Sequence, residues 1–330
     1  MVSVIVVNCN GKKYLRNCLD SLYEADGEKE IIVIDNGSTD GSRRFLYDEQ
    51  VFGKIRFFDY YLNEGLAKAS NKGASFAKGE YLFFLNNDTM VEPNIFTELL
   101  KIKTSIVGCR MFDYRGIREL DSKLVVDRFG YPAGKGKRIF YPDGAIFIKK
   151  SVFDELGGFD EKLFLYGEDR DLCWRALLMG FPCGYSDSAV FYHDTSSVND
   201  NKRNKSFDTN YFRRKLSEKN TIRSMLKNYS FVSLFKILPQ YLFWSILELT
   251  LLMFIDPKAI WKSYLPAYWW NILNLKDTVK ERRKIQKTRL ISDKTIREIM
   301  SKKIGKLFVL QTFGLPKFLL EAAKEKRGMR

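Results

Sequence analysis

The sequence predicts an α/β protein built on a doubly wound, mostly parallel sheet. Three observations carry that prediction. Short apolar runs rich in β-branched residues recur along the first hundred residues, with segments at helical spacing between them. Each run ends in Asn, Asp or Gly, which gathers polar groups at the sheet edge where open α/β folds bind ligands. The stretch 81–93, YLFFLNNDTMVEP, passes from five continuous apolar residues into Asn86, Asn87 and Asp88. That is the pattern of a strand buried on both faces, or of a buried helical turn, which periodicity alone does not separate. A carboxylate at such a strand end is placed to hold Mg2+ or Mn2+, which in turn holds a phosphate. A plain Asn/Asp turn is the other reading of the same residues.

The elements follow in order. Residues 2–7, VSVIVV, predict a central strand broken by Asn8, Asn10 and Gly11. Tyr14, Leu15, Cys18, Leu19 and Leu22 recur at helical spacing. Residues 31–34 predict a second strand ending in DNGSTDG, and 55–61 a third, closed by Asn63-Glu64-Gly65. A helix is expected over 66–77, and Pro93 stands at what reads as another helix start. From 108 to 150 the glycine-rich pattern predicts irregular strands and a loop, with YPAGKGKR at 131–138 a basic loop or linker and 143–148 a strand. A helix over 168–179 opens with acids favoured by the helix dipole and is stopped by Gly180. A short strand, 189–192, ends at His193, the chain's one histidine.

Composition narrows the class. The 330 residues suffice for one large domain or two ordinary ones. With 55 Lys and Arg against 40 Asp and Glu, the formal charge is +15 and an anionic partner is expected. The five cysteines are odd in number and scattered with no C-x-x-C pair, which argues against a disulfide framework or a zinc site and for a reducing, cytoplasmic environment. The N-terminus opens directly into a strand pattern, so no secretory signal is expected. Beyond residue 200 the character changes. Residues 231–255 are strongly apolar but interrupted by Lys236, Pro239, Gln240 and Glu248. Trp261, Tyr264, Tyr268, Trp269 and Trp270 cluster just after, as at a membrane interface. Residues 256–330 hold 19 basic and 7 acidic residues, most of the excess charge.

Taken in order, VSVIVVNCNG, VIDNGSTDGS, NEGLAKASNKG, FFLNNDT, GGFDEKLFLYGEDRDLCWR and FYH resemble the family 2 inverting glycosyltransferases of GT-A fold, and among them the rhamnosyltransferase-like branch. The resemblance covers about residues 2–195. It implies a catalytic domain over 1–200, with a nucleotide-sugar-binding half at 1–107 and an acceptor-side half at 108–200, followed by a helical, basic region over 201–330. It implies that Asn8, Asn10 and Asp35 hold the donor nucleotide, Asp35 accepting from the base. Asn63, Gly65, Lys68 and Asn71 would lie near base and diphosphate, together with Asn87. Gly65 would permit close backbone approach; Lys68 is alternatively a solvated helix charge.

The family's D-x-D motif falls on Asn86, Asn87 and Asp88, with an amide where the first acid stands. Asp88 would then carry the metal contact, with His193 completing a site for Mn2+ or Mg2+ and Asn86 a weaker ligand. Glu168-Asp169 matches the family's acidic pair. Asp169 would be the general base for an acceptor hydroxyl, its pKa pulled up by Glu168 and Asp171 and down by the helix terminus, Arg170 or Arg175.

The implied partners are a nucleotide-sugar donor and a glycan or lipid-linked acceptor. The aromatic, basic tail adds an anionic membrane, with the chain attached peripherally at its cytoplasmic face. Residues 231–255 lie on the membrane, pack as a buried hairpin or span it; Lys236 and Glu248 disfavour spanning. Two other functions compete. A sugar-phosphate nucleotidyltransferase would carry a Gly-rich basic loop after the first strand, where NCNGKKYL has one glycine. A nucleic-acid binder would account for the charge, but no such motif is present and nucleic acid is not expected as a partner.

Overall fold

The computed structural model describes residues 1–194 and 211–305, which fall into two compact units: 1–124 with 135–195, and 125–134 with the remainder. The domain boundary expected at residue 200 lies outside the described residues, as does the tail from 306 onward.

In the first unit, β1 (Val2–Asn8), β2 (Lys29–Asn36), β3 (Arg56–Tyr60) and β4 (Tyr81–Asn86) pair in parallel, in the order β3-β2-β1-β4. The parallel character stops there. β11 (Ala145–Lys149) runs antiparallel to β4, and beyond it stand β6 (Ile106–Asp113), β12 (Cys183–His193) and β5 (Thr89–Val91). Of these pairs only β6 with β12 is parallel. The sheet is therefore parallel in its first half and mixed in its second.

Alternation along the strands fills both faces. Val2, Val4, Val6, Val33, Phe83 and Leu85 share one core with Leu15, Leu19 and Leu22 of α1 (Lys12–Glu24) and with Ile95, Phe96 and Leu99 of α4 (Ile95–Leu100). Burying each such side chain contributes about 1.5–3 kcal/mol. On the other face α3 (Leu66–Phe76) meets β1 at Gly73, where a Cβ would stand 2.5 Å from Ile5 Cγ2. Phe84 there contacts Phe153 of α5 (Lys150–Glu155) and Phe159.

Two elements depart from expectation. A helix α2, Ser42–Val51, follows the DNGSTDG turn; Leu46 is its only buried aliphatic residue, too little periodicity to announce it. β12 starts at Cys183, six residues before the expected strand, and its ladder with β6 breaks between Ser186 and Val190. The polar residues at that bulge interrupt the apolar run. Part of the expected basic loop at 131–138 is the strand β9, Pro132–Lys135. The helix α6, Glu168–Leu178, ends before Gly180, which has φ +85.

From residue 211 to 299 the second unit is mostly helical. Tyr211–Asn228 buries charged side chains: Glu218 accepts from the hydroxyls of Tyr131 and Tyr241, and Arg223 pairs with Asp277 at 2.8 Å. The apolar stretch forms one helix, Phe231–Ile255, capped by Ser230 and continuous through Pro239. By length and composition it is the one helix among the described residues that could cross a membrane.

Candidate active site

The carboxyl ends of β1, β2 and β4 carry a closed amide network. Asn8 is fully buried. Its amide donates to Asp35 Oδ2 at 2.8 Å and Ser38 Oγ at 2.9 Å, and its carbonyl accepts from Asn87 Nδ2 at 2.7 Å. A Cβ on Gly11 would lie 1.9 Å from Asn87 Nδ2, so any side chain there would have to displace the Asn87 amide. Asn10, at φ +55, donates its backbone N–H to Ser38 Oγ and accepts from the Thr39 N–H at 2.7 Å.

Asp35 is fully buried and its oxygens are engaged. Oδ1 accepts from the Ser38 N–H at 2.8 Å and from Arg43 Nε at 3.2 Å, while Oδ2 takes Asn8. These bonds hold the turn that follows β2. Arg43 Nε also lies 3.0 Å from Asp59 Oδ1.

The NEGLAKASNKG segment is likewise used internally. Asn63 Oδ1 accepts from Asn36 Nδ2 and from the Gly65 N–H, both at 3.0 Å. Gly65 has φ +89, and a Cβ on it would stand 2.6 Å from the carbonyl oxygen of Phe164. Phe164 therefore makes a close approach that requires glycine at this position. Lys68 and Lys72 both pair with Glu64. Asn71 exchanges hydrogen bonds with the Phe159 backbone, both at 2.9 Å. That pins the GGFD turn and uses the amide expected near the diphosphate.

The second rim is acidic. His193 ends β12 and pairs in register with Thr89 of β5. This brings its Nε2 to 3.2 Å from Asp88 Oδ1, with both side chains part-exposed. Burial pulls the His193 pKa down, but the hydrogen bond to Asp88 and the charges of Asp88, Asp143 and Asp194 outweigh it and raise it. Asn86 is the last residue of β4, and its carbonyl accepts from Thr89 Oγ1 at 2.6 Å.

Glu168 and Asp169 open α6. Burial first, then Asp169, raise the Glu168 pKa far above the carboxylate range; burial first, then Asp143, do the same for Asp169. Glu168 Oε2 is buried with no hydrogen-bond partner, an unusual state for a carboxylate oxygen. Asp171 does not join the pair: its Oδ2 accepts from Arg175 Nε at 2.9 Å, and Arg175 also donates to the carbonyls of Leu156 and Gly158. The loop leading into α6 is strained, with φ +68 at Phe164 and at Tyr166 before Gly167 at φ +93. Two non-glycine residues in that region cost about 1–3 kcal/mol each.

Asp143 is the residue that sequence reasoning passed over. It stands two residues before Ala145, which pairs with Leu85 of β4, so continuing the antiparallel register sets it opposite Asn87. Its charge acts on His193 on one side and on Asp169 and Glu168 on the other. Asp143 is thus the group whose charge reaches both the Asp88–His193 pair and the acidic pair. The signal was faint: an acid before glycine, YPDG, reads as a turn.

Among the described residues no cluster of three or more His, Cys, Asp or Glu is placed to hold a metal. The pair Asp88 and His193, one carboxylate and one imidazole, fits a divalent cation whose remaining ligands come from phosphate oxygens and water.

Residues 3–157 match the sequence family described as Glycosyl transferase family 2. Over 158 residues the chain is 29% identical to the glycosyltransferase GlyG of Streptococcus pneumoniae, covering 46% of this chain and 47% of that protein. Over 204 residues it is 28% identical to the poly-beta-1,6-N-acetyl-D-glucosamine synthase of Staphylococcus epidermidis, covering 57% and 48%. The chain thus spans about half the length of these curated relatives. Among solved structures it resembles GalNAc-T7 with UDP, GalNAc and Mn2+ (TM-score 0.52, 19% identity, 59% of this chain and 43% of that one). It also resembles the mannosyltransferase PcManGT of Pyrobaculum calidifontis with GDP-Man and Mn2+ (TM-score 0.50, 17% identity, 68% and 63%). The likeness to these structures is one of fold, the GT-A arrangement of a mixed sheet flanked by helices.

Proposed function

We propose that this chain, through the family 2 glycosyltransferase domain matched over residues 3–157, transfers a sugar from a nucleotide-sugar donor to the hydroxyl of a glycan or lipid-linked acceptor, with inversion. The observation that carries the reading is the acidic rim. A carboxylate pair with raised pKa values and an unpartnered buried oxygen feels the charge of Asp143, as does an Asp–His pair. Asp169 accepts the proton of the acceptor hydroxyl as that oxygen bonds to the anomeric carbon. The bond from that carbon to the diphosphate breaks on the opposite side, and the nucleoside diphosphate leaves with the electron pair. A high pKa suits the base, because it gives the proton a strong acceptor near neutral pH. Glu168 shares the first turn of α6 with Asp169, whose charge helps to raise the Glu168 pKa, and is assigned no proton transfer of its own. Asp88 and His193, with Asn86 as a weaker ligand, would hold Mn2+ or Mg2+, which would supply positive charge to offset that on the departing diphosphate.

The amide network gives the donor side its shape, with Asn8, Asn10, Asp35, Asn63 and Asn87 fixing the loops on which the nucleotide rests. The rhamnosyl branch is the finer donor reading, and the chain works from the cytoplasmic face of an anionic membrane. The test is a thermal-shift screen of UDP-, GDP- and dTDP-sugars with and without Mn2+, followed by product analysis. Stabilisation by one nucleotide-sugar, enhanced by Mn2+, with release of nucleoside diphosphate supports the reading. Release of pyrophosphate would make the enzyme a nucleotidyltransferase. Stabilisation by no nucleotide-sugar would overturn the assignment.

A further inference from the structure

The helix Phe231–Ile255 is built inside out. A surface helix in water turns its apolar stripe to the core and its polar stripe to solvent. Here the inward positions mix Ser233, Tyr241, Ser245 and the half-buried Glu248 with Ile237 and Leu252. The outward ones carry Phe235, Phe243, Ile246, Leu247, Leu251 and Phe254, between 42% and 81% exposed. Tyr241, Glu248 and Gln240 are engaged by the second unit itself. Tyr241 donates to Glu218, Glu248 accepts from the Tyr264 hydroxyl, and neighbouring Gln240 accepts from Arg128 Nη1 at 2.8 Å.

The next helical segment repeats the plan. Trp261, Leu265, Trp269 and Ile272 point outward at helical spacing, while Ser263 and Asn271 are buried and bonded inward. The helix after that, Leu275–Thr288, holds six Lys and Arg against two acids.

We infer that this face is seated sideways in one leaflet of an anionic phospholipid bilayer, with the apolar side chains among the acyl chains and the basic helix at the headgroups. The reversed polarity favours hydrocarbon over water outside the helix. The exposed tryptophans and the adjoining positive charge favour a lipid interface over a second copy of the chain. Spanning is disfavoured, because it would strip Tyr241 and Glu248 of their protein partners inside hydrocarbon. This deepens the membrane attachment proposed above. Because the measurement needs no donor, its failure would leave the transferase assignment standing.

The test is flotation of the full chain with vesicles of phosphatidylcholine, alone or with about 30% phosphatidylglycerol. The expected result is binding to the anionic vesicles that weakens with salt. The variant F243S/I246S/L247S should lose at least about tenfold in bound fraction while keeping the wild-type circular dichroism melt, since all three residues are exposed. Tryptophan fluorescence should be quenched more by lipids brominated near the headgroup than by lipids brominated at the chain end. The reverse order would indicate spanning and overturn the in-plane placement. Absence of vesicle binding, equal binding to neutral and anionic vesicles, or dimerisation in lipid-free sedimentation abolished by the triple variant would overturn the proposal.

Discussion

At the ends of β1 and β2, Asn8, Asp35 and Ser38 satisfy one another's hydrogen bonds, whereas at the start of α6 Glu168 keeps a buried carboxylate oxygen without a partner. The amide rim needs nothing more to be stable. Asn8, Asp35, Ser38 and Asn87 are paired with one another before any ligand arrives, and the missing side chain at position 11 leaves room for two of these amides to meet. The acid rim gathers like charges, Asp143 with Asp169 and Glu168, on a loop with two strained non-glycine residues. Such a rim lowers stability unless something else recovers the cost, and sites that hold proton-transfer groups are where that cost is retained. On the proposed function, the difference assigns shape to the finished rim and reactivity to the unfinished one.

The largest test of that contrast is Asp169→Asn. The change keeps the side chain's volume and removes its ability to take a proton, so kcat/KM should fall by about 10²–10⁴-fold. Donor-induced stabilisation in a melting experiment should persist, because the amide rim is untouched. Full transfer activity in the variant would remove Asp169 as the base and return the acid rim to a structural role.

Gly65→Ala comes next, because Gly65 joins the rims. Its φ is +89, and an added Cβ would stand 2.6 Å from the Phe164 carbonyl oxygen, so there is no room for a methyl group. The substitution should destabilise by about 1–3 kcal/mol and displace the loop that presents Glu168. Activity should fall further than donor affinity. A variant with an unchanged melting point and an increased donor Kd would show instead that the glycine serves the ligand.

The two rims also differ in what the sequence discloses and what it conceals. The strands were legible because apolar runs buried on both faces leave a continuous signal, as at 81–85. The pairing of Asp88 with His193 was legible through the order of motifs, although 105 positions separate the two. The role of Asn71 was not. Its partner is a backbone 88 residues away, and an amide on a helix carries no sign of which distant turn it will hold. Asp35 shows the same limit: an acid at a strand end is visible in sequence, but its engagement by Asn8, Ser38 and Arg43 arises only when three chain segments meet.

Asp143→Asn should have a smaller and more specific effect. The base must be ionised, so kcat/KM rises with pH through the pKa of the acidic pair. Burial is the larger cause of the raised Asp169 pKa and remains in the variant; only the repulsion from Asp143 is lost. The rising limb should therefore move to lower pH without reaching the ordinary carboxylate range. A full pH profile checks this, and a limb that stays in place or moves to higher pH would separate Asp143 from the base.

The smallest effect belongs to Lys68→Ala, and it bears on where the amide rim ends. Lys68 pairs with Glu64 at the surface, and Glu64 keeps Lys72 as a second partner, with Lys72 Nζ 3.6 Å from the Tyr60 ring centre. Exposed ion pairs of this kind contribute little, so the melting temperature should not move measurably. If the finished rim shapes the donor site without contributing charge, donor KM should also stay within about twofold, since no charge-assisted bond to the ligand is lost. A rise of about tenfold or more with unchanged kcat would mean that Lys68 leaves Glu64 to bind the diphosphate. The amide rim would then carry a reactive-site charge of its own, and the division between a finished rim and an unfinished one would have to be redrawn.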